Sequence, residues 1–421
     1  MSKRRKNTAT LVDLFAGCGG LSLGLEMAGF RPIFASEINA HARETYLVNR
    51  KHLGLIDGRD VIGNITEITR SPAKLKALAR RLRREYGDVT LVAGGPPCQG
   101  FSARGIRTTF SHVTRRSTPS NHLYRDMSKV IAAVGPEFYL FENVRGLLTA
   151  RWTPSGTRGE IWQSVQNSFN RIQTYRNGVR LGYFSSAILV KASQFGVPQN
   201  RPRLLLLGVR ADIAAKWSTD DVASRLIPSS NETTPPDLID LLGDLVDSRG
   251  EKLGQTTVYP RKPGNPVQRH LRTRPSGRVS ARGAPITDHE YTNHSPLVTR
   301  RFRFMLEESK PLPPSLKIKK FAQRALPARW KQGPSITATS APDDYVHYCR
   351  PRILTVREWA RLQMFPDWYQ FCGPRTTGGR RRAGDLSIGN WDRELPKYTQ
   401  IGNAVPIPLA QAIGQHLISI R

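Results

Sequence analysis

Cys98 stands in Gly94-Gly95-Pro96-Pro97-Cys98-Gln99-Gly100-Phe101-Ser102. A cysteine thiolate is a strong nucleophile. Proline fixes the backbone, so two prolines hold the chain rigid directly before the thiol. The preceding apolar run, residues 89–93, reads as a buried strand. A structural cysteine would more usually lie inside that run. Cys98 follows it, in the crevice where open α/β sheets bind ligands. The chemistry this suggests is nucleophilic attack. A second apolar run, residues 138–141, ends in Glu142-Asn143-Val144. A desolvated carboxyl there would have a raised pKa and could donate a proton. Taken singly, a glutamate after a strand is a surface residue. Glu142 matters because it ends at the same sheet edge as Cys98.

A third feature closes the first apolar run, in Asp13-Leu14-Phe15-Ala16-Gly17-Cys18-Gly19-Gly20-Leu21. Glycines let the backbone turn tightly against a ligand, with a helix N-terminus behind. Glu37 ends the next run, where an acidic side chain can accept both hydroxyls of a ribose. Together these imply an adenosine-containing cofactor. Gly-x-Gly-Gly lacks the last glycine of the dinucleotide fingerprint, which favours S-adenosylmethionine over a nicotinamide dinucleotide without excluding the latter. The four cysteines, Cys18, Cys98, Cys349 and Cys372, form no Cys-x-x-Cys pair and have no histidine cluster at zinc spacing. No metal site is expected, and the thiols read as reduced.

The elements that position these residues follow from periodicity. Apolar runs at 10–15, 32–36, 89–93, 138–141, 184–190 and 204–209 alternate with helical patterns such as 21–28 and 72–85. Alternation of this kind predicts an α/β fold, a parallel sheet with helices on both faces. From about 210 to 350 the chain is rich in Pro, Arg, Ser and Gly. Arg269, Arg272, Arg274, Arg278 and Arg282 occur there with no acidic residue between them. This loop-rich stretch reads as a recognition surface, or as a disordered insertion. Thr355 and Glu358 fit a capping box for a helix that should stop before Pro366, and a last helix is expected over 408–420.

With 64 Lys and Arg against 33 Asp and Glu in 421 residues, the net charge is +31. Such a chain favours a polyanionic partner, which points to nucleic acid. No apolar run approaches the roughly 18 residues of a membrane helix. With no secretory leader recognisable, a cytoplasmic location is expected.

In order, these segments resemble the cytosine-5 DNA methyltransferase family. Phe15–Gly20, Pro96-Pro97-Cys98-Gln99, Glu142-Asn143-Val144, Gln199-Asn200-Arg201-Pro202-Arg203, the run Arg352 to Glu358 and Gln400-Ile401-Gly402-Asn403-Ala404-Val405 match its motifs. The resemblance implies a Rossmann-like S-adenosylmethionine-dependent methyltransferase sheet with a smaller, loop-rich target recognition domain. Residues 1–209 with 395–421 would be catalytic. Residues 210–394 would be the recognition domain and hinge, with its variable part at about 210–351. The family chemistry implies that Cys98 attacks C6 of a cytosine flipped out of duplex DNA. Glu142 would hold N3 and the exocyclic amine, and Arg203 with Arg201 would bind the base carbonyl. The resemblance places Phe15, Gly17, Cys18, Gly20, Glu37, Ile38, Asn64, Pro97, Asn403 and Val405 around S-adenosylmethionine. Asn64 departs from the family's aspartate; its carbonyl could still accept from the adenine amine. The segment 99–124 would close over the base. His289–Ser295 and the arginines around Arg300 would lie near the DNA. A monomer is expected, acting on double-stranded DNA, in a restriction-modification or phage-defence setting with any nuclease on a separate chain. The alternatives are an RNA cytosine-5 methyltransferase on the same scaffold, a catalytically silent DNA-binding protein, and a nicotinamide oxidoreductase.

Overall fold

The computed structural model describes residues 8–97, 119–217, 221–229, 233–247, 258–307, 311–317, 323–329, 342–376 and 394–421. The chain divides into two compact units. One comprises Met1–Ala192, Pro202–Asn231 and Pro408–Arg421; the other comprises Ser193–Arg201 and Glu232–Ile407.

The first unit is built on a twisted sheet. Its strands are β1 (Thr10–Leu14), β2 (Arg31–Ser36), β3 (Val61–Ile62), β4 (Leu91–Gly94), β5 (Phe138–Val144), β8 (Tyr183–Lys191) and β9 (Pro202–Arg210), in the order β3-β2-β1-β4-β5-β9-β8. Between β5 and β8, β6 (Thr174–Arg176) and β7 (Val179–Leu181) form a separate hairpin. Every residue of β1 is buried, as its central place requires. Helices flank the sheet. In Leu123–Val134, residues Tyr124, Met127, Val130, Ile131 and Val134 are buried at helical spacing, and the helix packs into the main core. Ser71 caps the helix Pro72–Tyr86, which buries Leu78 and Leu82 and carries charge elsewhere. The last helix, Ile407–Ser419, passes close to the helix Gly20–Met27. A Cβ at Gly414 would meet the Ala28 Cβ at 2.7 Å, so only glycine permits that approach.

The expectation of an all-parallel sheet is corrected at β9. It runs antiparallel to both β5 and β8. Only residues 192–201 join β8 to β9, too few for the crossover a parallel connection needs. The two-residue strand β3, at the sheet edge, gave no apolar run to read.

The second unit is held by buried charge pairs. Arg361 is fully buried; its Nη1 donates to Asp244 Oδ1 at 2.6 Å and its Nη2 to Asp367 Oδ2 at 2.6 Å. Tyr259 Oη donates to Asp367 at 2.8 Å. The capping box forms as expected, with Glu358 N donating to Thr355 Oγ1 at 3.1 Å and Thr355 N to Glu358 Oε2 at 2.8 Å. Arg352 holds the same carboxylate at 2.7 and 2.8 Å. The helix, Val356–Arg361, stops well before Pro366.

Two histidines are sealed into this unit. Burial holds His289 down to about 4 and His347 down to about 3. Both stay neutral in the folded chain while the unfolded chain protonates near 6.5. Stability is therefore full above about pH 7 and declines as pH falls from 6.5 towards 4. Between pH 7 and pH 5 the two histidines together should cost roughly 4 kcal/mol, and His289→Asn should flatten that slope. Urea unfolding of this unit at both pH values measures it; equal midpoints would contradict the assignment.

Candidate active site

The carboxyl ends of β4 and β5 bring the expected catalytic segments together. In the register of β5 with β9, Arg203 lies opposite Val144, and thus diagonal to Glu142 on the same face. Arg203 Nε is 2.6 Å from Glu142 Oε1, and both residues are buried. This is a close ion pair, without the alignment of a linear hydrogen bond. Arg203 Nη1 is anchored on the carbonyl of Pro202 at 2.9 Å. Glu142 therefore meets a cation instead of an apolar wall.

The segment leading into Cys98 is clamped to the same edge. Asn143 Nδ2 donates to the carbonyl of Pro96 at 3.1 Å. A Cβ on Gly95 would meet Glu142 Oε2 at 2.8 Å, so glycine makes room for the carboxylate. Pro97 is half-buried at the last described position before Cys98. Cys98 itself and the expected closing segment from Gln99 to residue 118 lie outside the described residues. The end of that segment, at Tyr124, is buried in the helix Leu123–Val134.

The glycine turn is strained where the motif predicts a ligand. Phe15 has φ 59°, a left-handed conformation uncommon for a bulky residue. Gly17 and Gly19 follow at 56° and 85°. Glu37 faces the turn: its Oε2 accepts from Gly17 N at 2.8 Å and its Oε1 from Asn39 N at 2.8 Å. Burial pushes its carboxyl upward, opposed by these two amides. Beside it Ile38 is 73% exposed, an apolar side chain left bare at the end of β2. Gly20 opens the helix behind. Burial pushes the Cys18 thiol up to about 12, so it is no thiolate.

Sequence reasoning missed what supports this turn. Arg50, 1% exposed, donates from Nη2 to the carbonyl of Gly19 at 3.1 Å and from Nε to Glu26 at 2.8 Å. Its guanidinium lies 3.9 Å over the Tyr46 ring. Below it Asp13 accepts from the Ser22 hydroxyl, and burial raises its carboxyl to about 7. No local spacing around Arg50 signals this role.

Asn64 is committed differently from the expectation. Its Oδ1 accepts from Thr66 N at 3.0 Å and from Thr66 Oγ1 at 2.9 Å, which fills both lone pairs of that oxygen. What it leaves open is its NH2, a donor.

The remaining motif residues belong to the second unit. Arg201 is 1% exposed and donates from Nη2 to the carbonyls of Gly402 at 2.7 Å and Ala404 at 3.1 Å. It thereby holds the turn that carries exposed Asn403 and buried Val405. Gln199 Nε2 donates to the carbonyl of Leu362. The segment His289–Ser295, expected near the DNA, begins on an inward-facing residue. His289 is wholly buried, its ring nitrogens meeting Thr355 Oγ1 at 2.9 Å and the Leu245 carbonyl at 3.1 Å, and Tyr291 is buried against it. Arg301 is likewise buried on the carbonyl of Leu316, while Arg300 and Arg303 are exposed.

No helix among the described residues is long and apolar enough to cross a membrane. Among the described residues no cluster of His, Cys, Asp and Glu could hold a metal.

Residues 9–419 match the family described as C-5 cytosine-specific DNA methylase. The Type II methyltransferase M.DdeI of Desulfomicrobium norvegicum is 30% identical, over 97% of this chain and 88% of that one. The Type II methyltransferase M1.HphI of Haemophilus parahaemolyticus is 29% identical, over 98% and 87%. Among solved structures, a prophage-encoded E. coli chain named for DNA modification methyltransferase activity superposes with a TM-score of 0.65 at 23% identity, covering 98% of this chain and 99% of that one. A Spodoptera frugiperda DNMT2 mutant gives 0.55 at 12%, covering 98% and 100%. Those two likenesses establish the fold, and the match across nearly the whole sequence establishes the rest: the chain belongs to the C-5 cytosine-specific DNA methylase family and is a DNA cytosine-5 methyltransferase.

Proposed function

We propose that this enzyme methylates a cytosine flipped out of duplex DNA through a covalent adduct between Cys98 and C6, with S-adenosylmethionine as methyl donor. The observation that carries this reading is the Glu142–Arg203 pair set against Gly95 and Pro96, which brings an acid and a cation to the segment that ends in Cys98.

The turn fits the cofactor. Glu37, fixed by two amides, keeps lone pairs for two ribose hydroxyls. Phe15 and the bare Ile38 offer apolar contact to an adenine. Gly17, Cys18, Gly20, Asn64, Pro97, Asn403 and Val405 complete the proposed contacts. When bound, S-adenosylmethionine supplies an electrophilic methyl on a sulfonium.

Cytosine C5 is a weak nucleophile. The Cys98 thiolate adds to C6, and the electron pair moves to make C5 enamine-like. Glu142 hydrogen-bonds N3 and the exocyclic amine, and stabilises N3 as it gains a proton. Arg203 orients Glu142 and stabilises the base carbonyl. C5 then takes the methyl and loses its proton to a base. The Cys98–C6 bond breaks and the thiolate is restored. Stacking hides C6 in a duplex, so the base must leave the helix first. Arg201, spent on the 402–404 turn, acts as a positioning residue.

Because M.DdeI and M1.HphI are named Type II methyltransferases, we read this chain as the marking enzyme of a restriction-modification system, with cleavage on a separate chain. It carries catalytic and recognition parts together and so acts on double-stranded DNA as a monomer.

Cys98→Ser should abolish methyl transfer to duplex DNA and retain specific binding. Labelled methyl transfer paired with a gel-shift assay checks this, and turnover at the wild-type rate would contradict covalent catalysis. Label appearing only in RNA would favour the RNA-directed alternative. Asn64→Asp supplies a second acceptor while one oxygen still caps Thr66. It should lower the KM for S-adenosylmethionine about 5-fold, near 1 kcal/mol, with kcat unchanged; a raised KM would refute an acceptor role at this position.

A further inference from the structure

The second unit separates its arginines into two populations. From residue 252 to 287 there is no Asp or Glu. Arg272, at 1% exposure, is nonetheless ion-paired: its Nε donates to Asp244 Oδ2 at 2.6 Å, and its guanidinium lies 3.8 Å over the Tyr259 ring. Asp244 is the carboxylate that also binds Arg361. Arg261, Arg269, Arg274, Arg278 and Arg282 are exposed, and none of them is ion-paired among the described residues.

Two of these occupy a defined hairpin that begins directly after Arg272. Thr273 bridges Val279 in antiparallel fashion. Arg274 N donates to the carbonyl of Arg278 at 2.9 Å, and Gly277 N to that of Arg274 at 2.8 Å. Ser280 N closes the base on the carbonyl of Arg272 at 3.1 Å. Pro275 presets φ at the second turn position, and Gly277 takes the left-handed conformation at 80°. Arg274 and Arg278 therefore stand on opposite shoulders of a five-residue tip. Arg274 Nε rests on Ser280 Oγ at 3.2 Å, which orients the plane of its guanidinium. The base is fixed by the buried pairs of Arg272, so the tip is rigid while its two guanidinium heads are open. A solvated surface needs no such anchoring.

Accepting that the substrate is duplex DNA, we propose that this hairpin enters the major groove and that Arg274 and Arg278 select guanines there. Arg261, Arg269 and Arg282 hold phosphates on either side. A two-stranded ribbon fits a major groove about 12 Å wide, and a guanidinium grips guanine O6 and N7 with two parallel bonds.

Arg274→Lys and Arg278→Lys keep the charge and lose the fork. Each variant and the wild type are expressed in a host without cytosine methylation of its own, and the methylated sites are sequenced. The wild-type motif should contain guanines beyond the partner of the target cytosine. Each lysine variant should lose discrimination at one such position by about 5- to 150-fold in kcat/KM, with the salt slope of binding unchanged. Arg282→Gln should weaken binding to every sequence alike and lower the slope by about one. Loss of all methylation in a lysine variant that still melts, and binds random DNA, like the wild type also supports the assignment. A motif read identically by wild type and both variants overturns the hairpin's role alone. A wild type that marks no cytosine in DNA overturns the parent reading and this one with it.

Discussion

The ion pair between Arg203 and Glu142 exists because β9 runs against β5. Had β9 been parallel, its first residues would lie at the opposite end of the sheet from the end of β5. The reversal instead puts the start of β9 beside the end of β5, and the two-residue period puts Arg203 on Glu142's face. Proline at the first position of β9 needs no ladder donor there, so Pro202 can offer its carbonyl to Arg203. A buried carboxylate losing its cation costs about 3–5 kcal/mol. The pair is thus a structural constraint as well as a chemical one. Gly95 and Asn143 then fit the Pro96-Pro97 segment against it.

Much of this edge was legible because each component is local. The glycine turn, the two prolines before Cys98 and Glu142 each end an apolar run, and short-range spacing marks all three. The reversal of β9 was not legible, since an apolar run carries no direction. Arg50 was not legible either. It acts on Gly19 across 31 positions, and nothing near it in sequence distinguishes it from the many surface arginines. Asn64 was visible as a departure from the family pattern. That its carbonyl is already filled by Thr66 depends on a local turn before the helix that only the fold reveals.

The second unit was misread in part for the same reason. Composition shows that it is basic, and the arginines at 269–282 and around Arg300 read as a recognition surface. Yet Arg361, Arg357, Arg352, Arg301 and Arg272 are inside. Asp244 lies 117 positions from Arg361, so spacing could not couple them. His289, in the segment expected near the DNA, braces the capping box through Thr355. The loops of this unit run between short helices and small apolar clusters. Here ionic and hydrogen-bonded links between distant segments give them a fixed form, and each link is costly to break because it is dry.

For the recognition role proposed for this unit, fixed form is a requirement. The chemistry proposed for Cys98 and Glu142 would treat every cytosine alike, since C6, N3 and the amine are common to all of them. Selection among sites must therefore come from groups that meet other bases. A flexible arginine makes phosphate contacts readily, but gains little from base edges, because ordering it cancels much of the bond energy. An arginine on a tip whose base is already ordered avoids that loss. The exposed net charge gives affinity for any DNA and falls steeply with salt. Discrimination can rise above that background only where guanidinium groups are held in place before the DNA arrives. On the proposed reading, buried Arg272 supplies that restraint through Asp244, and Arg274 and Arg278 on the hairpin beyond it are what it restrains.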